Sequence, residues 1–169
     1  VLRVWNDDDI LAALTQEAPT PAALMPHDAC LCLWGGGITV CDGLAPRGDA
    51  RSLVEILSAT KRRVVSSASI AHDFPEMHSA FVPYVGLLAC RFDANNEGWI
   101  VWLRREQLET VVWGGRPEKV YRVGANGPRL TPRGSFAEWR EVVRDTSNPW
   151  LPEEQQAAES LRDELAQVC

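Results

Sequence analysis

Residues 106–150 read EQLETVVWGGRPEKVYRVGANGPRLTPRGSFAEWREVVRDTSNPW, and they carry two structural codes in succession. Val111-Val112-Trp113 and Val120-Tyr121-Arg122-Val123 are rich in strand formers. Gly124-Ala125-Asn126-Gly127 supplies residues that tolerate positive φ, as a tight turn requires. Together they predict a protruding hairpin. The code then changes. Ser135-Phe136-Ala137-Glu138 matches a capping box, in which the Ser side chain accepts from the third helical amide and the Glu reaches back. Phe136, Trp139, Val142 and Val143 follow at helical spacing. Pro132 cannot donate to a sheet ladder, and Gly134 weakens both states. Strand and helix therefore compete between Pro132 and Glu141. Each cap or aromatic contact is worth about 1 kcal/mol, so a few kcal/mol of partner contacts can select one state. The plainer alternative is a hairpin followed by an ordinary helix that never changes. A segment this long, with Trp113 and Trp139 and little core of its own, needs a partner surface.

Upstream the patterns are simpler. Val85 to Phe92 and Trp99 to Leu103 are apolar strands joined by the turn Asp93 to Gly98, an antiparallel hairpin. Ala29 to Trp34 and Ile38 to Cys41 form another across Gly35-Gly36-Gly37. The triple glycine leads into a strand, whereas a phosphate loop leads into a helix. Leu53, Ile56 and Leu57 predict a helix over Asp49 to Ala59, capped by Asp49 or Ser52. Val64-Val65 is a short strand, and Ser66 to Met77 is polar and irregular. Asp7-Asp8-Asp9 before Ile10, Leu11 and Leu14 predicts a helix start, and Pro19, Pro21 and Pro26 mark a loop. Downstream, Pro152 to Val168 predicts a helix with Pro and two Glu in its first turn. Ala158, Leu161, Leu165 and Val168 form an apolar seam that fits either a coiled coil or a helix laid on its own sheet. The sum is an α+β plan, one central antiparallel sheet with helices on one side.

The 169 residues are 46% apolar and 24% charged, the profile of a soluble globular protein able to bury a core without staples. A net charge of -6 argues against nucleic acid, and the short basic run Lys61-Arg62-Arg63 reads as a helix end or loop. No apolar run reaches the roughly 18 residues a membrane helix needs. Val1 to Asp9 lacks the plan of a signal peptide, and the chain starts without Met, as a piece of a longer protein would. Cys30, Cys32, Cys41, Cys90 and Cys169 are odd in number and mostly sit in strand-like runs, as buried reduced thiols of a cytoplasmic protein do. Cys30 and Cys32 share a strand face, and none of the three His is spaced to make a metal site with them.

The order Trp113-Gly114-Gly115, Pro132-Arg133-Gly134-Ser135-Phe136, Trp139-Arg140-Glu141, Pro149-Trp150 resembles the tongue of the PHY domain of bacterial phytochromes. The likeness extends over the whole chain, as one PHY domain over 1–169 with a tongue at about 106–148 and an output helix at about 152–168. One departure is Arg105, where many bacterial members have Pro; it touches the local strand end. The resemblance implies a GAF-like fold, a central antiparallel sheet flanked by helices with the tongue projecting. It implies a PAS-GAF module in the same polypeptide that holds biliverdin, and a tongue that refolds between hairpin and helix when red light isomerises the bilin. The change would pass along the output helix to a histidine kinase or diguanylate cyclase, with a homodimer contact through that helix. Residue by residue, Arg133 would pair with a GAF-domain Asp in one state and Ser135 would replace it in the other. Trp113 and Trp139 would exchange places against the GAF surface. Pro132, Phe136 and Glu141 complete the tongue contacts. With no PAS or GAF region in this stretch, the chain is expected to bind no bilin, no metal and no membrane, and to catalyse nothing.

Two other classes of function would draw on different residues. A GAF-like small-molecule sensor rests on the Trp content and on His72 and His78 in a polar loop. An enzyme would draw on His72, Asp73, Glu76 and His78, but no nucleophile elbow, metal spacing or phosphate loop accompanies them.

Overall fold

The computed structural model describes Leu14 and residues 20–95, 97–107 and 144–167, and the backbone alone of 109–113, 122–124, 127–129 and 139–143. The predicted helix start at Asp7 to Asp9 and the capping box at Ser135 to Glu138 lie outside these residues.

Two compact units are present: Val1–Gln107 with Asp145–Cys169, and Leu108–Arg144. The first is built on a five-stranded antiparallel sheet of β1 (Ala29–Trp34), β2 (Gly37–Asp42), β3 (Val64–Ser67), β4 (Gly86–Asp93) and β5 (Gly98–Arg104), in the order β2-β1-β5-β4-β3. Helix α1 (Ala50–Ala59) lies between β2 and β3 in the chain, and two single-turn helices, α2 (Ile70–Asp73) and α3 (His78–Phe81), lie between β3 and β4. The long α4 (Pro152–Leu165) closes the unit.

Local chemistry explains the joints. Gly35 at φ 55° and Gly36 at φ 81° are the two central residues of the β1–β2 hairpin, where a tight primed turn needs left-handed backbone twice. Asp49 Oδ1 accepts the Ser52 amide at 2.8 Å and caps α1, so of the two predicted caps Asp49 is the one used.

Both faces of the sheet are covered. Leu31, Leu33, Leu87, Ala89, Trp99, Val101 and Leu103 point to one side and meet Leu53 and Leu57 of α1, Ile70 of α2 and Phe81 of α3. Cys30, Cys32, Leu88, Cys90, Ile100 and Trp102 point to the other, where Leu14, Met25, Trp150 and Ala158 of α4 cover them. The expectation of helices on one side is therefore corrected. The reason is visible in β1 and β5, whose every residue is buried: a strand covered on both faces reads as a continuous apolar run, without alternation. The seam of α4 is laid on its own sheet, with Ala158 fully buried and Leu161 and Leu165 half-buried against the second core. The irregular stretch after Val65 also resolves further than its sequence suggests, extending β3 to Ser67 and forming α2 and α3. No helix among the described residues is long and apolar enough to cross a membrane.

The second unit contains two antiparallel pairs. β6 (Glu109–Trp113) pairs with β9 (Trp139–Val143), in register from Glu109↔Val143 to Trp113↔Trp139. β7 (Arg122–Gly124) pairs with β8 (Gly127–Arg129) across the predicted turn. Val111 to Trp113 thus finds its partner at residues 139–141, beyond the predicted return strand. The helix expected from Phe136 to Val143 is replaced by strand at 139–143: ladder bonds along β6 outweigh a helical spacing whose cap lies before Trp139.

Candidate functional site

The chain leaves the first unit after Gln107 and re-enters it at Asp145, and these two points are tied together. The Gln107 amide donates to Thr146 O at 2.9 Å, and the Asp145 amide to Glu106 Oε1 at 2.7 Å. Asp145 takes φ 56°, the left-handed conformation that Asp tolerates better than most residues. The Ser147 amide then donates to Ala68 O at 2.9 Å.

Beside this root lies Arg104, the last residue of β5, which is buried. A guanidinium carries five N–H donors and no acceptor, so burial demands five hydrogen bonds. It makes five bonds to four acceptors: Pro26 O twice (Nε 3.1 Å, Nη2 2.8 Å), Asn148 O (3.4 Å) and Pro149 O (2.9 Å) from Nη1, and Glu154 Oε1 (2.6 Å) from Nη2. The Trp150 ring centroid lies 3.8 Å from its central carbon, a cation–π contact in a dry setting. Glu154 is shared: its Oε2 accepts the Leu151 amide at 2.8 Å, which caps α4 where the Leu side chain cannot. Trp150 in turn donates its indole N–H to Ser67 O at 3.1 Å. One buried ion pair therefore joins the end of β5, the returning residues 148–150 and the first turn of α4.

The neighbouring Arg105 amide donates to Asp28 Oδ2 at 2.7 Å, a bond that Pro at this position would lack. Pro26, His27, Asp28, Arg104 to Gln107 and Asn148 line a cleft of about 350 Å³ here.

The residues expected to act fall in different places. Trp113 and Trp139 are direct backbone partners at the end of the β6–β9 ladder, and Glu141 pairs with Val111. Pro132, Arg133, Ser135 and Phe136 lie outside the described residues. His72 is exposed and its ring nitrogen sits 2.9 Å from Asp73 Oδ1. That contact first, and the Ser67 hydroxyl at 2.7 Å second, hold the Asp73 carboxyl below its usual range. His78 is half-buried at the start of α3 and Glu76 is exposed. Arg104 and its pairing with Glu154 escaped the sequence reading. The available signal was a Glu at the third position of a helix whose cap residue is Leu, with an Arg ending an otherwise apolar strand.

A family model described as the phytochrome region matches residues 1–169. A bacteriophytochrome of Pseudomonas aeruginosa is 37% identical over 171 residues, covering 99% of this chain and 23% of that protein. Cyanobacterial phytochrome B of a Nostoc species is 34% identical, covering 96% of this chain and 23% of that protein. Among solved structures, a bacteriophytochrome from the photosynthetic bacterium R. palustris superposes with a TM-score of 0.66 at 33% identity, over 94% of this chain and 32% of its own. The photosensory core module of the Stigmatella aurantiaca phytochrome gives a TM-score of 0.58 at 29% identity, over 96% of this chain and 30% of its own. The chain spans about a quarter of the length of the curated relatives it matches. A five-stranded antiparallel sheet covered on both faces, a separate strand-paired unit inserted after β5, and a family match from end to end agree: the chain belongs to the phytochrome-region (PHY) family.

Proposed function

We propose that this chain is the signal-relay domain of a red/far-red bacteriophytochrome. Its segment at about 106–148 serves as a tongue against a bilin-binding GAF domain of the same polypeptide and refolds between hairpin and helix on photoconversion. The helix at about 152–168 carries the change to an output module such as a histidine kinase or diguanylate cyclase. Biliverdin is held by the PAS-GAF module, and this domain itself binds no cofactor and catalyses no reaction. The whole protein works in the cytoplasm. A homodimer contact through the terminal helix would use other residues than Ala158, Leu161 and Leu165, which meet the sheet.

The observation that carries this reading is a conflict between code and conformation. Residues 139–143 are strand, paired with 109–113, although a helical spacing runs through Trp139, Val142 and Val143, with a capping box in the sequence just before it. A segment that contradicts its own local preference is held by little in either state, so a modest difference in partner contacts moves it. Arg133 suits the contact in one photostate because a guanidinium meets a carboxylate with two parallel bonds, and Ser135 suits that in the other as a hydroxyl donor.

The test joins the chain to a PAS-GAF unit loaded with biliverdin and follows both photostates by absorption. Arg133→Ala is expected to shorten the lifetime of one photostate, and Ser135→Ala that of the other. Unchanged spectra and lifetimes in both variants would remove the assigned roles.

A further inference from the structure

The edge strand β2 slips against β1 at one point. Partners step evenly from Trp34↔Gly37 to Leu31↔Val40, and the next pair is Cys30↔Asp42, which leaves Cys41 as the extra residue of a bulge. Had the register continued, Cys30 and Cys41 would be direct partners. A bulge sets two residues of its strand opposite one of the partner strand, here Cys41 and Asp42 opposite Cys30. Val40 and Asp42 on either side are exposed, while Cys41 is half-buried against the core that holds Cys30. The two thiols lie close enough that each shifts the other's titration, in opposite senses.

The two thiols are unequal. The hydrogen bond from Cys30 favours the Cys41 thiolate and lowers its pKa, against the opposing pull of burial and the Asp42 carboxylate. The same bond, and then burial, push Cys30 far up. Cys41 is also the one that solvent reaches.

We propose that Cys30 and Cys41 form a peroxide-sensitive dithiol, in which Cys41 is oxidised by a hydroperoxide and Cys30 closes a reversible disulfide across β1 and β2. The Cys41 thiolate attacks the terminal peroxide oxygen, the O–O bond breaks, and Cys41 becomes a sulfenic acid with release of hydroxide or alkoxide. The Cys30 sulfur then attacks the Cys41 sulfur, the S–O bond breaks, and the Cys30 proton leaves with the departing oxygen as water. Two electrons pass from the two thiols to the peroxide. Cys90 serves as an internal comparison, since burial pushes its pKa up to about 12 and it lies on β4.

The experiment titrates the full chain, carrying Cys169→Ser, with hydrogen peroxide and reads intact mass. Chymotrypsin, which cuts after Leu31, Leu33 and Trp34, separates the three neighbouring cysteines for peptide mapping. The expected result is loss of two hydrogens, a Cys30–Cys41 linked peptide, and full reversal by a phosphine reductant. Cys30→Ser should stop at a Cys41 sulfenic acid that dimedone traps, and Cys41→Ser should abolish the loss. A link from Cys41 to Cys32 or Cys90, direct passage of Cys41 to sulfinic acid beside a reduced Cys30, or oxidation of Cys90 ahead of Cys41 would each overturn the proposal. The mapping of the parent chain decides the matter even if a variant fails to fold.

Discussion

Gly86 leaves room for Ser147. A Cβ built on Gly86 would overlap the Ser147 hydroxyl oxygen, stand 2.8 Å from Ser147 Cβ and come 3.2 Å from Arg104 Cβ. The returning chain passes this close because Ser147 is held there by the Ala68 carbonyl. Gly86→Ala is expected to destabilise the domain by roughly 1–3 kcal/mol, the usual cost of overpacking a tight contact. Urea unfolding measures it, and Gly86→Ala combined with Ser147→Gly should recover part of the loss.

Removing one partner of the Arg104–Glu154 pair should cost more than removing both. Each side chain is 10% exposed, so Arg104→Met leaves a carboxylate with little water to turn to. The expected loss is about 3–5 kcal/mol for Arg104→Met, with a double variant Arg104→Met, Glu154→Gln closer to the parent. A denaturant double-mutant cycle reads the coupling, and additive losses would show that the two residues act independently.

Arg105→Pro tests a bond made by the backbone. It deletes the amide that Asp28 Oδ2 accepts, worth roughly 1.5–3 kcal/mol for a charged acceptor, and stiffens the unfolded chain by about 0.4–1 kcal/mol in the opposite sense. A net destabilisation near 1 kcal/mol is expected, and it should vanish in an Asp28→Ala background.

The acid limb of stability should carry the signature of Asp73. Its folded pKa lies below the unfolded value because His72, and then Ser67, favour the carboxylate. Its contribution is therefore complete above the unfolded carboxylate range, near pH ~3.9, and disappears as pH falls through the lower folded value. Asp73→Asn should flatten the fall of melting temperature in that window. His72→Ala should move the Asp73 midpoint upward in an NMR titration of its carboxyl carbon.

The β4–β5 hairpin, the β1–β2 hairpin and α1 were legible because turn residues, apolar runs and a side-chain cap all act within a few residues of one another. The two-sided covering of the sheet was legible too, in the unbroken apolar stretch Ala29 to Trp34, but a plan weighed by helix count alone hides it. The pairing of β6 with β9 was not: the partners of Val111 to Trp113 lie about thirty residues away, across a segment whose local code argues for helix. Arg104 was illegible for a similar reason. Its five hydrogen bonds go to Pro26, Asn148, Pro149 and Glu154, a set that no window of sequence contains.

A single proline-fixed step separates the Trp150 ring, lodged under Arg104, from the first turn of α4. Rotation about the backbone has almost nowhere to dissipate over Trp150, Leu151 and Pro152, because Glu154 fastens the Leu151 amide and Gln155 the Trp150 carbonyl. The connection behaves as a stiff crank with no slack: residues 148 and 149 cannot shift by much unless the helix axis swings with them.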